Sequence, residues 1–214
     1  MKVRLIPNQN KKNMARIYGS EMSGKLGDMI YSSWHGRPYS RRRPEKVANP
    51  QTEAQQAHRN AFAEISRLAS DLKAAHCIGL HKQAQRLKLN THCVFKKFNK
   101  DFYGENGIIY PRVIVSDGPV RTTRILSVEL GEQNVLCVAF DNRCSISDAD
   151  DQFFLFVYCP DLRAGVLVPP VPRSAGMTTV TLPAEFTEHP LHLYAFFRDE
   201  KRKTSRTIYH AITK

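Results

Sequence analysis

The sequence predicts an α+β protein with an N-terminal β-hairpin or arm, a two-helix hairpin and a C-terminal antiparallel β-sandwich. Three observations predict this class. Glycines bound short apolar clusters up to about residue 47, apolar residues recur every three or four positions between Ala54 and Leu72, and short apolar runs follow residue 110. These patterns are typical of turns with strands, of an amphipathic helix and of a sheet, respectively. We therefore expect two domains, a basic 1–105 and a β-sandwich 106–214.

The N-terminal segment favours a β-hairpin over a helix. The apolar stretch from Met29 to Trp34 lies between Gly27 and Gly36. Apolar runs bounded by glycine at this spacing are typical of a hairpin or extended arm. Arg37 and the run Arg41 to Arg43 follow on the expected return strand, where alternation places Arg41 and Arg43 on one face and Arg42 on the other.

Two helices are expected next. The first begins either at Asn49, with Pro50 in the first helical position, or at Thr52, with Gln55 completing a capping box, and it ends near Ala75. Its apolar residues form one face; they are Ala54, Ala57, Ala61, Phe62, Ile65, Leu68, Ala69 and Leu72. Gly79 interrupts the pattern. A second helix is expected from about Lys82 to Asn99, with Ala84, Leu87, Val94, Phe95 and Phe98 inward and a basic exterior.

Short strands are expected from residue 112 to the end of the chain. They cover 112–116, 125–130, 134–140, 152–159, 165–169, 178–183, 191–197 and 205–212. Seven or eight strands at this spacing are typical of an antiparallel sandwich of immunoglobulin or fibronectin III topology. A true antibody-type domain is disfavoured because the Cys, Trp, Cys core pattern is missing from the sequence.

Positive charge is concentrated in the first half of the chain. The formal net charge is +12, and residues 1–100 hold 20 Lys and Arg against 6 Asp and Glu. Residues 101–214 hold 12 against 14. An asymmetry of this kind between halves indicates a polyanion partner.

Several classes are excluded or disfavoured by composition. The longest apolar runs, such as 153–159, fall far short of the roughly 20 residues of a membrane helix, and the N-terminus lacks the apolar core of a secretory signal. We expect no membrane partner and a cytoplasmic location, or a virion location if the chain is phage-encoded. The five cysteines are odd in number and never form a CxxC pair, so free thiols are expected rather than disulfides or zinc.

No constellation of catalytic or cofactor-binding residues stands out. Gly19 to Lys25 has the glycine spacing of a phosphate loop, but Leu26 replaces the required Ser or Thr. The acidic residues Asp148, Asp150 and Asp151 are interpreted as an exposed hairpin loop rather than a calcium site. We expect no enzyme activity, no metal and no cofactor.

Trp34 and its neighbouring arginines leave two interpretations open. Aromatic rings that stack on bases beside arginines that neutralise phosphates are the combination that single-strand and RNA binders use. Alternatively, Trp34 packs over the alanine-rich face of the first helix while the arginines solubilise an edge strand. The candidate nucleic-acid-binding residues are Lys25, Trp34, Arg37, Arg41, Arg42, Arg43, Arg59, Lys82, Arg86, Lys96 and Lys97.

Several motifs together resemble the bacterial domain-of-unknown-function family 6266. They are a Gly-Lys-x-Gly opening with Trp-x-Gly and a basic strand, an Asn-Pro-x-Thr-x-Ala-Gln helix start, and a strand that joins an Asp to a Tyr. The matching residues are Gly24, Lys25, Gly27, Trp34, Gly36, Asn49, Pro50, Thr52, Ala54, Gln55, Asp151 and Tyr158. The resemblance covers nearly the whole chain and implies an architecture rather than an activity. Similar openings also occur in phage-related proteins.

Two hypotheses follow from the sequence. The first is a non-enzymatic binding or assembly protein whose basic N-terminal half contacts a polyanion, with nucleic acid as the first candidate. The alternative is a phage or prophage-type structural component, in which the Gly-rich arm pairs with a protein partner or with a second copy of the chain.

Overall fold

The computed structural model describes residues 16–18, 21–34, 36–45, 51–104, 107–143 and 148–213, and the chain divides into two compact units, 1–51 and 52–214. The fold class is α+β, with helices and several antiparallel sheets. The unit boundary lies at the start of the first helix, whereas the sequence placed a boundary at residue 105.

The smaller unit contains a four-stranded antiparallel sheet in the order β1-β2-β3-β4. Its strands are β1 (Arg16–Tyr18), β2 (Glu21–Leu26), β3 (Met29–Trp34) and β4 (Arg37–Arg42). Gly27 (φ 55°) and Gly36 (φ 78°) adopt left-handed torsions in the turns β2–β3 and β3–β4, where side chains other than glycine are disfavoured. The expected hairpin is thus β3–β4, within a larger sheet.

The described part of the larger unit begins with four helices rather than the two that periodicity predicted. They are α1 (Glu53–Asp71), α2 (Lys73–Gly79), α3 (His81–Leu87) and α4 (Thr91–Asn99). The breaks at Leu72 (ψ 15°) and Leu80 (ψ 9°) turn the backbone while both side chains stay fully buried. The break near Leu80 agrees with the interruption expected at Gly79. The missed breaks are the one at Leu72, an apolar residue that carries no sequence signal for a helix end, and the one between α3 and α4, where Lys88 is left-handed (φ 52°) and Asn90 caps α4.

Side-chain caps define where two of these helices begin. The hydroxyl oxygen of Thr52 accepts a hydrogen bond from the backbone N–H of Gln55 at 3.4 Å, so α1 has Thr52 as its N-cap. The competing Asn49 and Pro50 start lies outside the described residues. Asn90 caps α4 by accepting from the N–H of Cys93 at 2.7 Å.

The strands of the larger unit pair antiparallel in three described sheets, β10-β9-β13-β14 with β11 beside β9, β12-β8-β7, and the short pair β5-β6. Their bounds are β5 Tyr103–Gly104, β6 Gly107–Ile108, β7 Ile125–Leu130, β8 Val135–Phe140, β9 Gln152–Cys159, β10 Ala164–Leu167, β11 Val171–Pro172, β12 Met177–Thr181, β13 Leu191–Arg198 and β14 Ile208–Ile212. Short 3-10 helices cover Tyr110–Arg112, Arg173–Ala175 and Ala184–Glu188.

One expected strand, 112–116, is wrong. This segment has no strand ladder, and side chains from distant elements satisfy its backbone instead. The N–H of Ile114 donates to Asn99 Oδ1 at 2.7 Å, and the N–H groups of Val115 and Ser116 donate to Thr207 Oγ1 at 3.0 and 2.9 Å. The segment is therefore a buried connection between α4 and the sheets.

The core has two layers on opposite sides of the β9–β13 pair. Phe154, Phe156 and Tyr158 of β9 join a cluster with the helices, and the residues between them join a second cluster with β8. The side chains alternate because successive strand residues point to opposite faces. The helices that were expected to belong with the N-terminal arm therefore share a core with the C-terminal strands.

A buried ion pair lies at the edge of the second cluster. Arg173 is fully buried, and its guanidinium donates to Asp151 at 3.1 Å and to the carbonyl of Arg121 at 2.7 Å. The same group lies 3.8 Å from the centroid of the Phe197 ring. Asp151 was expected in an exposed loop, and this is wrong: removal of Asp151 would leave an uncompensated buried cation.

Gly79 tests the packing of the helices on segment 112–116. A Cβ at Gly79 would lie 2.3 Å from the Val115 carbonyl oxygen and 2.5 Å from Ser116 Cβ. We expect Gly79→Ala to lower the free energy of unfolding by about 1–3 kcal/mol, although an exposed helical Gly→Ala change stabilises by about 1 kcal/mol. Urea denaturation measures the effect. Gly131→Ala is the control, because its Cβ has only one neighbour, at 3.6 Å; equal midpoints for the two variants would contradict the packing argument.

Candidate nucleic-acid interface

The strands of the smaller unit place basic and aromatic residues on one face of the sheet. The register pairs Lys25 with Ile30, Ile30 with Arg41, and Trp34 with Arg37, while Tyr39 lies opposite Ser32. Paired residues share a face, and residues two apart along a strand share it as well. We call the set Lys25, Trp34, Arg37, Tyr39 and Arg41 the basic-aromatic face.

The rings on this face are accessible. Trp34 is 70 % exposed and Tyr39 is 46 % exposed, and every residue of β4 is exposed. The ordinary expectation for the one tryptophan of a chain is deep burial, because its large ring contributes most when it is removed from water. The exposed Trp34 ring opposite Arg37 is therefore the unusual feature of this sheet.

Arg42 and Arg43 are placed differently from Arg41. Arg42 lies opposite Met29, on the other face of the sheet, and its guanidinium is 3.8 Å from the carboxylate of Glu45. Arg43 was expected to share a face with Arg41; it lies one residue beyond the end of β4, and its backbone N–H donates to the Asp28 carbonyl at 2.6 Å. Neighbouring residues of like charge thus differ in the face they occupy.

The basic residues of the helices lie in separate places. Lys82 and Arg86 of α3 line a cavity of about 310 Å³ together with Asp117 and Lys203. Lys96 and Lys97 of α4 line a different groove of about 470 Å³. Arg59 is exposed on α1. Within the larger unit, the structure therefore does not bring the predicted residues into a single cluster.

The Asp and Tyr of the family-like strand motif make contacts that hold the fold together. Asp151 pairs with buried Arg173, as described above. The hydroxyl of Tyr158 donates to Asp71 at 3.0 Å, and Arg163 donates to the same carboxylate at 2.9 Å. Burial, together with the carboxylate of Asp71, raises the pKa of Tyr158 far above its usual range. The motif joins α1 to β9 and to the turn before β10.

The histidines and cysteines near α2 and α4 do not form a metal centre in the described part of the chain. No group of three His, Cys, Asp or Glu side chains there is arranged to hold an ion. The Nε2 of buried His76 donates to the Ala69 carbonyl at 2.8 Å, and burial lowers the pKa of His76. Of the cysteines, those described are free thiols: Cys77, Cys93, Cys137 and Cys159.

Two further observations concern the phosphate-binding loop and the membrane helix that the sequence disfavoured. Gly24 and Lys25 lie within the extended strand β2 rather than in a loop that leads into a helix, which is the context of a phosphate-binding loop. Among the described residues, none of the helices combines the length and the apolar character that crossing a membrane requires.

Comparison with known proteins gives a family match. Residues 21–210 match the family described as Family of unknown function (DUF6266). No curated protein and no solved structure matches the chain. The match includes the basic-aromatic face and the Asp151 to Tyr158 strand.

The environment of Trp34 is directly measurable, because this is the one tryptophan of the chain. Positive potential from Arg37, its partner across the strands, concentrates anions near the ring. We expect iodide to quench Trp34 fluorescence more strongly than caesium does at low ionic strength. Arg37→Gln should reduce the ratio of the two quenching constants, and Arg42→Gln, on the opposite face, should change it less. Identical ratios in the three proteins would show that the ring does not sense the charge of its own face.

Proposed function

The chain belongs to the family of unknown function DUF6266, and from its own residues we propose that it is a non-enzymatic binding protein whose basic-aromatic face contacts nucleic acid. Exposed, single-stranded or unpaired segments suit this face best. Their bases are free to stack on Trp34 and Tyr39, while the phosphates meet cations at either side.

The observation that carries the proposal is that arginine and tyrosine side chains alternate along one face of β4. Arg37, Tyr39 and Arg41 follow one another on the same face at intervals of about 7 Å, the spacing of alternate strand residues. Trp34 lies beside Arg37 and Lys25 lies in the row of Arg41. A sheet face with two exposed rings and three cations supports both base stacking and neutralisation of the nucleic-acid backbone.

The distribution of charge between the two units supports the same face. Residues 1–51 hold 11 Lys and Arg against 3 Asp and Glu, and residues 52–214 hold 21 against 17. The smaller unit therefore carries twice the excess charge of the larger one in less than a third of its length. Charge at this density attracts polyanions over distances of about one Debye length.

The larger unit is proposed to serve as a rigid body. Its sheets β12-β8-β7 and β10-β9-β13-β14 share one apolar cluster, which supports the more specific interpretation of an immunoglobulin-like β-sandwich with helices added on the other side. We also propose a cytoplasmic location for the chain, since nucleic acid is its proposed partner.

The alternative function is assembly, as a phage or prophage-type structural component. The four-stranded sheet has edge strands β1 and β4, and edges of this kind accept a strand from a neighbouring chain. Pro38 and the arginines of β4 protect that edge against pairing, so β1, the other edge strand among the described strands, is the side proposed to accept a partner strand. A mass that rises with protein concentration, in a protein that binds no nucleic acid, would favour assembly.

Arg41 and Arg42 provide a matched test of the proposed face. We expect wild type to bind mixed-sequence single-stranded DNA or RNA at about 50 mM salt, and Arg41→Gln to weaken binding severalfold and to lower the salt slope by about 0.7, the value for one lost phosphate contact on a single strand. Arg42→Gln removes the same charge from the opposite face and should change both quantities less. Fluorescence anisotropy against salt concentration measures them.

Two outcomes would contradict this proposal. No binding at about 50 mM salt would remove nucleic acid as the partner. An equal loss in Arg41→Gln and Arg42→Gln would show that net charge, rather than the face of the sheet, governs binding.

Trp34→Ala separates stacking from charge. Stacking on an aromatic side chain contributes about 1–3 kcal/mol per base, so we expect affinity to fall by at least fivefold. The salt slope should stay at the wild-type value, because no cation is removed. Titration with an oligonucleotide at three salt concentrations measures both quantities. An unchanged affinity would show that Trp34 does not contact a base.

A further inference from the structure

A groove between α1 and α4 combines an apolar floor with a basic rim. Its volume is about 470 Å³, which falls within the usual range of small-molecule sites. The lining residues are His58, Ala61, Phe62 and Ile65 of α1 and Cys93, Lys96, Lys97 and Lys100 at α4 and its C-terminal end. The groove lies wholly within the larger unit.

The apolar floor arises because the row of apolar residues on α1 extends toward the N-terminus of the helix beyond the residues that are buried in the core. Every buried residue of α1 lies at Ile65 or beyond, yet the helical repeat continues back through Phe62 and Ala61. Phe62 is 53 % exposed, although the sequence pattern predicted it to face the core. A ligand that covered this ring would remove apolar surface from water, which is the general source of affinity in such grooves.

The rim is positively charged, and none of the described residues that line the groove is acidic. None of the ion pairs of the described residues includes Lys96, Lys97 or Lys100. The ammonium of Lys96 lies 4.9 Å from the centroid of the Phe62 ring, which places a cation directly at the apolar floor. Burial and the nearby Lys96 both lower the pKa of His92 on the same helix, in keeping with a positive local potential.

We propose that this groove binds a small anionic amphiphile. Its ring or short alkyl chain lies against Phe62, Ala61 and Ile65, and its single carboxylate, sulfonate or phosphate contacts the lysines. Charge complementarity selects an anion, and the predominantly apolar floor selects an amphiphile over a highly hydrated ion. The lysines present compact point charges, which suit a lone anionic head group.

A nucleic-acid strand fits the groove less well than an amphiphile. Phe62 is the one phenyl ring among the described lining residues, beside the smaller imidazole of His58, so a run of successive bases finds little to stack on, and no arginine that would fork around phosphates is among them. The site is independent of the basic-aromatic face, which lies in the other unit. Failure of one proposal therefore leaves the other intact.

The test uses two dyes that share a ring system and differ in charge. The anionic dye 1-anilinonaphthalene-8-sulfonate should bind the full chain at one site, with increased fluorescence. Neutral N-phenyl-1-naphthylamine should bind at least fivefold more weakly. We expect Phe62→Ala to weaken binding of the anionic dye by about tenfold, since the floor is lost, and Lys96→Gln with Lys97→Gln to weaken it by about fivefold.

Controls separate the groove from the rest of the surface. The pair Lys82→Gln and Arg86→Gln removes the same charge from α3 and should leave dye affinity unchanged. Ala61→Glu introduces a carboxylate into the groove at a helical position and should abolish binding without removing the ring. Each variant is compared with wild type by urea denaturation, so that dye binding by a partly unfolded chain is recognised.

Three results would overturn the proposal. Equal affinities for the anionic and neutral dyes would show that the lysines do not contribute. Unchanged binding in both Phe62→Ala and Ala61→Glu would place the dye elsewhere. Displacement of the dye by an oligonucleotide would assign the groove to the nucleic-acid surface instead.

Discussion

Burial of both faces of the β9–β13 pair is the constraint on which the larger unit depends. An antiparallel sheet often leaves one face in water, but here Phe154, Phe156 and Tyr194 face the helices while Phe153 and Leu193 face the second sheet. Neither layer is optional, because loss of either would expose a row of buried apolar side chains. Because both faces of β9 are covered, side chains of β9 pack closely against the backbone of neighbouring strands. Gly165 opposite Tyr158 is one example, since a Cβ there would lie 2.3 Å from the Phe156 ring.

The same constraint explains which parts of the fold the sequence predicts. The strands 125–130 and 152–159 and their bounds are confirmed, because their apolar runs are bounded by polar residues and turns. Segment 112–116 has the same apolar composition as a strand, but its backbone partners are Asn99 and Thr207, whose side chains approach only in the folded chain. A continuous apolar run in β9, rather than alternation, was the available signal that helices cover its second face.

Of the two candidate sites, the sequence predicted features of the sheet face but not the groove on the helices. Strand alternation predicted that Arg41 and Arg42 occupy opposite faces, and the observed register agrees. The groove at Phe62 was not predicted, because helical periodicity identifies an apolar stripe but not how much of it a neighbouring helix covers. With nine residues, α4 cannot run along the whole of the 19-residue α1, and beside Phe62 the two helices leave a groove between them. Such coverage is a property of tertiary packing rather than of any local pattern.

The arginines of β4 are consistent with two roles that reinforce one another. On an edge strand, exposed charge prevents pairing with another sheet, and so it keeps the chain from aggregating through that edge. Under the proposed function, the same side chains, which line one face beside exposed rings, attract a polyanion that also requires an open surface. A partner that occupied the edge itself would need to desolvate these guanidinium groups, which is costly. A partner that lies across the face neutralises Arg37 and Arg41 while they remain partly hydrated. The geometry of β4 therefore favours contact through the face of the sheet over addition of a strand to its edge.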